Sequence, residues 1–252
     1  MTPFLKLMLY GGITALLWCI LCWFNLLPWF FVWLLLFFIL LRLVLGAIYI
    51  QQNFYLSSIN SLADVGIDAS EKKICLTFDD GIHETRTPRV LDILRDKEVQ
   101  AMFFLIGKNC ETQKDILFRL QQEGHRLGNH SYAHDFWFDM KNSQAMYNDI
   151  QHTQQLMQDT IQLAPKFFRP PYGVTNPNLA KTVKRTGLTS VGWNLRSLDT
   201  VAKSSSQLLE KLKKDTKPNA IVLLHDRCEY TVEVLTEYID YCLAQGYTFV
   251  LL

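Results

Sequence analysis

Charge is almost missing from the start of this chain. Of the 47 residues from Phe4 to Ile50, only Lys6 and Arg42 carry it. That run is far longer than the roughly 7–15-residue apolar region of a signal peptide. The whole chain also lacks a dominant charge: 25 Lys and Arg face 24 Asp and Glu, leaving a formal +1. With no basic stripe interleaved with aromatics, nucleic-acid binding is excluded as a leading reading. The cysteines form no framework. Cys75, Cys110, Cys228 and Cys242 are scattered, and Cys19 and Cys22 lie inside the apolar run. A low-dielectric setting without a basic partner disfavours thiolates, so the Cys19–Cys22 pair reads as packing rather than a redox or metal motif. No repeat of fixed period is present.

One bilayer span needs about 20 residues, so the apolar run fits two. Asn25 and Pro28 interrupt it near its middle, and proline suits the start of a second helix. The expected spans are Tyr10–Leu27 and Trp29–Ile50. Trp18, Trp23, Trp29 and Trp33 cluster toward the intervening turn, as interfacial aromatics do. Arg42 is read as snorkelling or as a polar contact. A buried helical hairpin is the competing reading, but neither segment has a polar face. The division expected is 1–50 membrane segment, 51–71 linker and 72–252 catalytic domain, with membrane lipids as partners of the first.

From Lys73 onward the pattern alternates. Expected strands are 73–78, 101–106, 126–128, 166–168, 188–194, 220–224 and 248–252. Expected helices are 88–97, 112–123, 143–161, 178–186, 206–214 and 230–244. Seven strands separated by six helices imply an α/β fold with a parallel sheet and helices outside.

The residues just past the strands carry the chemistry. They are Asp79 and Asp80 after the first, His130 and His134 after the third, and Arg169 after the fourth. Asp199 lies beyond the fifth, and His225 and Asp226 after the sixth. In parallel barrels the C-terminal strand ends meet at one mouth, where catalytic groups gather. A lone histidine there means little, but five segments delivering ionisable groups to one rim mean a site. His130 and His134 are four apart, and in a helical turn their rings face the same way. A catalytic zinc takes three protein ligands, so one of the two aspartates completes the set and the other is free as a base. A bound cation polarises a carbonyl oxygen. His225, from another strand, is placed to protonate a leaving amine, which describes amide or ester hydrolysis.

As a set, these segments resemble the motifs of the polysaccharide deacetylase family, carbohydrate esterase family 4, over residues from about Glu71 to the end. The five motifs are Thr77-Phe78-Asp79-Asp80-Gly81, His130-Ser131-Tyr132-Ala133-His134, Arg169-Pro170-Pro171-Tyr172-Gly173, Asp199 and Leu223-Leu224-His225-Asp226. The resemblance implies a distorted (β/α)7 barrel preceded here by two transmembrane helices. It implies Asp79 as general base and Asp80, His130 and His134 as ligands of a divalent metal, Zn2+ first, with Co2+, Ni2+ or Fe2+ as alternatives. It also implies that Arg169 holds the base, that the Tyr172 backbone N–H helps bind the oxyanion, and that Asp199 orients the general acid His225. The sequence departs from the pattern twice. Thr200 stands where tryptophan commonly follows the aspartate, which puts the aromatic wall of the sugar groove in question. Ile82 stands where the family usually has proline.

The expected activity is metal-dependent removal of N-acetyl groups from N-acetylhexosamine units of a cell-envelope glycan, so the expected partner is an acetylated glycan. The alternatives are a deacylase of a lipid-linked sugar precursor, an inactive glycan-binding protein and an iron oxygenase built on the same two-histidine, one-carboxylate set. Lys6 favours a cytoplasmic N-terminus, whereas no Lys or Arg lies between Ile50 and Lys72. The family's envelope substrates favour the outer face.

Overall fold

Thr2 and Pro3 start the first helix. The Thr2 hydroxyl oxygen accepts the Leu5 N–H at 3.3 Å, and Pro3 opens the helix, where proline's missing donor costs nothing. In this computed structural model, which describes residues 2–68 and 70–252, α1 runs Pro3–Trp23 and α2 Phe30–Ile48. The first helix therefore begins earlier than the Tyr10 expected for the first span, because the cap rather than peak hydropathy sets its start. The left-handed Asn25 (φ 54°) lies in the turn that follows. At about 1.5 Å per residue each helix is roughly 30 Å long, close to the hydrocarbon thickness of a bilayer. Both are long and apolar enough to cross one. They pack antiparallel, close at Gly11, where an added Cβ would lie 3.3 Å from Ile39.

The remainder is one curled parallel sheet. Its strands are β1 (Ser58–Ile59), β2 (Lys73–Gly81), β3 (Met102–Leu105), β4 (Arg126–Asn129), β5 (Phe167–Phe168), β6 (Thr189–Val191), β7 (Leu195–Arg196), β8 (Ala220–His225) and β9 (Thr248–Phe249). The order is β1-β6-β5-β4-β3-β2-β8-β7, with β9 beside the first residues of β2. The expected distorted (β/α)7 barrel is present. All seven expected strands are found, and the path ends at the two short additions, β1 and β7. The stretch expected as a linker is not a free tether, because its β1 pairs with β6 through Ser58 and Ser190.

Helices α3 (Arg86–Asp96), α5 (Lys114–Gln122), α6 (Ser143–Ile161), α7 (Pro177–Thr186), α8 (Ser205–Asp215) and α9 (Glu229–Ala244) lie outside. The short α4 (Gly107–Thr112) precedes α5. Strand alternation divides the core. Ile74, Leu76 and Phe78 of β2 join the outer cluster under the helices, while Cys75 joins the inner one with Met102, Phe104, Val191, Trp193, Ile221 and Leu223. The same alternation turns Thr77 and Asp79, and His225 beside them on β8, toward the interior and its open end.

Candidate active site

Two neighbouring strand residues ordinarily point to opposite faces, so Asp79 and Asp80 need a local device to serve one site. The device is a bulge. Asp79 pairs with Phe104 and Gly81 with Leu105, leaving Asp80 unpaired with a left-handed φ of 69°. A bulge of this kind re-aims a side chain. Gly81 is required beneath it, since a Cβ there would meet the Asp226 carboxylate at 2.7 Å.

The two carboxylates are held by different partners. Asp79 Oδ1 accepts Arg169 Nη1–H at 2.7 Å. The Arg169 guanidinium is fully buried and also donates to Thr77 Oγ1, the Val191 carbonyl and the Gly192 carbonyl, and it stacks on Phe104 at 4.1 Å. Four of its five N–H groups are thereby satisfied, which fixes its orientation. Asp80 turns Oδ1 toward the histidines, 3.5 Å from His130 Nε2 and 3.3 Å from His134 Nε2. Its Oδ2 accepts Arg227 Nε–H at 2.7 Å. Burial opposes ionisation of Asp80, but the neighbouring His130, with His225 and His134, outweighs it and holds the carboxyl well below its usual range.

The histidine pair does not sit in the expected helical turn. Ser131 (φ 68°) and His134 (φ 49°) are left-handed. The Asn129 side chain accepts the Ser131 N–H, and Ser131 Oγ accepts the His134 N–H. These side-chain bonds compete with helical hydrogen bonding. The rings still converge, with centroids 4.8 Å apart. His130 Nδ1 lies 2.8 Å from the Arg169 carbonyl. A carbonyl only accepts, so Nδ1 carries the proton and Nε2 offers its lone pair to the site. Burial, then the neighbouring His130, lowers His134 to about 4, so its ring is a neutral donor near pH 7. Among the described residues, Asp80, His130 and His134 each bring one donor atom within 4.8 Å of the others. One carboxylate and two imidazoles fit a divalent transition-metal ion.

His225 ends β8 across the mouth. Its Nδ1–H donates to Asp199 Oδ1 at 2.8 Å, and its backbone N–H to Asp199 Oδ2 at 2.6 Å. Thr231 Oγ1–H donates to the same Oδ2 at 2.7 Å. Burial pulls the His225 pKa down, but Asp199, then Asp79 and Asp80, outweigh it and raise the pKa. Nε2 faces the cavity, 4.0 Å from Asp80 Oδ2.

Tyr172 stands half-exposed at the rim in a left-handed turn (φ 58°), its ring 4.7 Å from that of His134. The following Gly173 (φ 69°) has Trp193 packed where a side chain would begin, 2.3 Å from an ideal Cβ. The cavity enclosed is about 480 Å³ and is lined by Asp79, Asp80, His130, His134, Tyr172 and His225, with Asn109, Trp193, Arg196, Thr200 and Arg227. Arg169 and Asp199 support it from behind. All eight residues given a role from the sequence are therefore at this one site.

A family model for polysaccharide deacetylases matches residues 66–191. The chain belongs to the polysaccharide deacetylase family. It is similar to the peptidoglycan-N-acetylglucosamine deacetylase PgdA of Listeria monocytogenes, at 33% identity over 196 residues, which is 78% of this chain and 41% of that one. It is likewise 33% identical to a peptidoglycan-N-acetylglucosamine deacetylase of Bacillus cereus, over 72% of this chain and 86% of the relative. The solved structure of the Bc1960 peptidoglycan N-acetylglucosamine deacetylase superposes with a TM-score of 0.69 at 29% identity, covering 77% of this chain and 89% of that one. The chain thus spans well under half the length of the Listeria relative.

Three side chains at this family site escaped sequence reasoning. Arg227 binds Asp80, Asn109 Nδ2–H donates to the Asp80 carbonyl at 3.0 Å, and Trp193 walls the cavity. Arg227 directly follows His225-Asp226, and that adjacency was the one available signal. Asn109 lies in α4, which the pattern did not show.

Proposed function

We propose that this chain is a metal-dependent hydrolase that removes N-acetyl groups from N-acetylhexosamine units of a cell-envelope glycan. In this reading, residues 1–50 carry it in the membrane and residues 72–252 hold the catalytic machinery. The observation that carries the reading is the division of labour between adjacent carboxylates: Asp79 is clamped by Arg169, whereas Asp80 turns toward His130 and His134. A divalent cation, zinc first, held by Asp80, His130 and His134, would supply Lewis acidity at the acetamide carbonyl.

Asp79 accepts the proton of the attacking water. Arg169 keeps this carboxylate oriented through Oδ1 and leaves Oδ2 toward the cavity. The Tyr172 backbone N–H stabilises charge developing on the carbonyl oxygen. His225 delivers a proton from Nε2 to the leaving amine while Asp199 retains the Nδ1 proton, so acid and base act from opposite sides of the reacting carbon. The family relatives named as peptidoglycan deacetylases support an envelope glycan as substrate and the outer face as the domain's location.

The test is acetate release from an acetylated chito-oligosaccharide by the full chain in detergent, with and without chelator. Acetate that disappears with chelator and returns with metal supports the reading. Glycan binding without acetate release under any metal would replace it with a binding function.

A further inference from the structure

The catalytic rim and the end of α2 are bonded to each other. Thr175, two residues beyond the turn that carries Tyr172, donates its N–H to the Ala47 carbonyl at 2.9 Å and its hydroxyl to the Gly46 carbonyl at 3.3 Å. Gly46 itself is packed under Phe54, 2.2 Å from where a Cβ would be. Arg42 turns toward this same end, its guanidinium 2.5 Å from Gln52 Oε1 and 4.1 Å from the Phe54 ring centroid. Among helix-end residues, that is how a long cation reaches the edge of a hydrocarbon layer. The membrane boundary and the rim of the cavity are therefore neighbours.

Between them lies an apolar ridge. Phe136, Trp137 and Met140 are 69%, 66% and 73% exposed. Phe136 packs against Trp137 at 4.8 Å and toward Tyr172 at 6.3 Å. Met140 shares a surface cleft with Ala47, Val174 and Thr175. The loop is tied down, because the Asp139 carbonyl accepts Asn176 Nδ2–H at 2.6 Å and Lys141 pairs with Asp135 at 2.5 Å. Large apolar side chains held rigidly in water are costly, whereas Trp and Phe are favoured at the lipid headgroup level. Stacking on a sugar explains an exposed Phe or Trp but not an exposed Met lining a cleft with Ala47.

We propose that Phe136, Trp137 and Met140 are seated in the headgroup layer of the bilayer that α1 and α2 cross. The cavity then opens on the membrane surface and takes an acetylated glycan still attached to a lipid. This inference rests on the reading of α1 and α2 as membrane spans.

The test uses the full chain in phosphatidylethanolamine–phosphatidylglycerol vesicles, with Trp137→Cys carrying an environment-sensitive fluorophore and Lys217→Cys as the aqueous reference. Headgroup-proximal spin-labelled lipid should quench the label at 137 and aqueous iodide should not, with the reverse at 217. Iodide quenching at 137 equal to that at 217, in a chain that resists carbonate extraction, overturns the inference alone. Release of the chain by carbonate removes the anchor and the inference with it. In a second arm, Phe136→Ser with Trp137→Ser should leave hydrolysis of a soluble acetylated oligosaccharide intact. It should lower kcat/KM on an N-acetylglucosamine glycolipid in vesicles by roughly tenfold. Equal loss on both substrates would make the ridge a sugar-stacking wall and overturn the proposal.

Discussion

Arg227 donates its Nε–H to Oδ2 of Asp80 at 2.7 Å, on the opposite side of the carboxylate from the oxygen that faces His130 and His134. The guanidinium thus fixes which oxygen is presented to the histidine pair. Groups that orient a ligand in this way are typically worth about 10–100-fold in metal affinity. Arg227→Met should weaken zinc binding by about that factor, read by calorimetric titration of the metal-stripped full chain. His134→Ala, which deletes a donor, should abolish stoichiometric binding. Unchanged affinity in Arg227→Met would reduce the contact to a surface ion pair, and stoichiometric metal with full activity in His134→Ala would remove that residue from the site.

Asp79 and His225 lie on paired strands at the same register, one clamped by Arg169 and the other by Asp199. Asp79→Asn and His225→Ala should keep their metal and lose kcat by about 10²–10⁴, the range for general acid–base groups. Metal content and acetate release measured on the same preparation decide it. Near wild-type turnover in either variant would remove that residue from its role.

The Asp199–His225 pair should set a pH limit on the proposed reaction. On the proposed mechanism His225 must be protonated to act as an acid, so activity should fall as pH rises through its pKa. Asp199 is the chief influence holding that pKa up against burial. Asp199→Asn should therefore move the alkaline limb of the kcat profile to lower pH. An unchanged limb would mean that another group titrates there.

Sequence legibility followed the physics of each element. Strands β2, β3 and β8 are apolar runs buried on both faces, and those runs are visible in the sequence. β1 and β7 have two residues each and exist through pairing partners far along the chain, so no local pattern announces them. The site residues were legible because parallel strands deliver their C-terminal ends to one rim. The bulge at Asp80 and the left-handed Ser131 and His134 were not, since each depends on side-chain-to-backbone bonds that spacing cannot reveal. Arg227 looked like any loop arginine until Asp80 was placed beside it.

Both termini of the helical hairpin lie at the end where Phe4 and Phe54 share a backbone hydrogen bond, so one labelling experiment fixes the topology. An impermeant maleimide on intact cells should label Ser57→Cys and Lys217→Cys, both exposed in the native chain. The wild type, whose cysteines are buried or half-buried, serves as the blank. Labelling only after lysis would put the domain in the cytoplasm and favour a lipid-linked sugar precursor met before export.

Asp226 offers a stability test independent of turnover. Its carboxyl is fully buried under Gly81, with Oδ2 accepting the Thr87 hydroxyl at 2.5 Å and Oδ1 without a hydrogen-bond partner among the described residues. Burial pushes its pKa up to about 7, whereas an unfolded aspartate titrates near 3.9. The folded state thus holds a proton that the unfolded chain releases. The resulting stability is fully present below about pH 4 and is lost as pH rises through 7. Asp226→Asn keeps an oxygen for Thr87 and removes the titration. Between pH 5 and 6.5 the variant should gain on the wild type by up to about 1.4 kcal/mol per pH unit, because titrations common to both proteins cancel in the difference. Melting temperatures of the two full chains, measured with chelator across that window, should diverge steadily with rising pH. Parallel curves would mean that Asp226 is already ionised in the folded protein and that a solvent path reaches it.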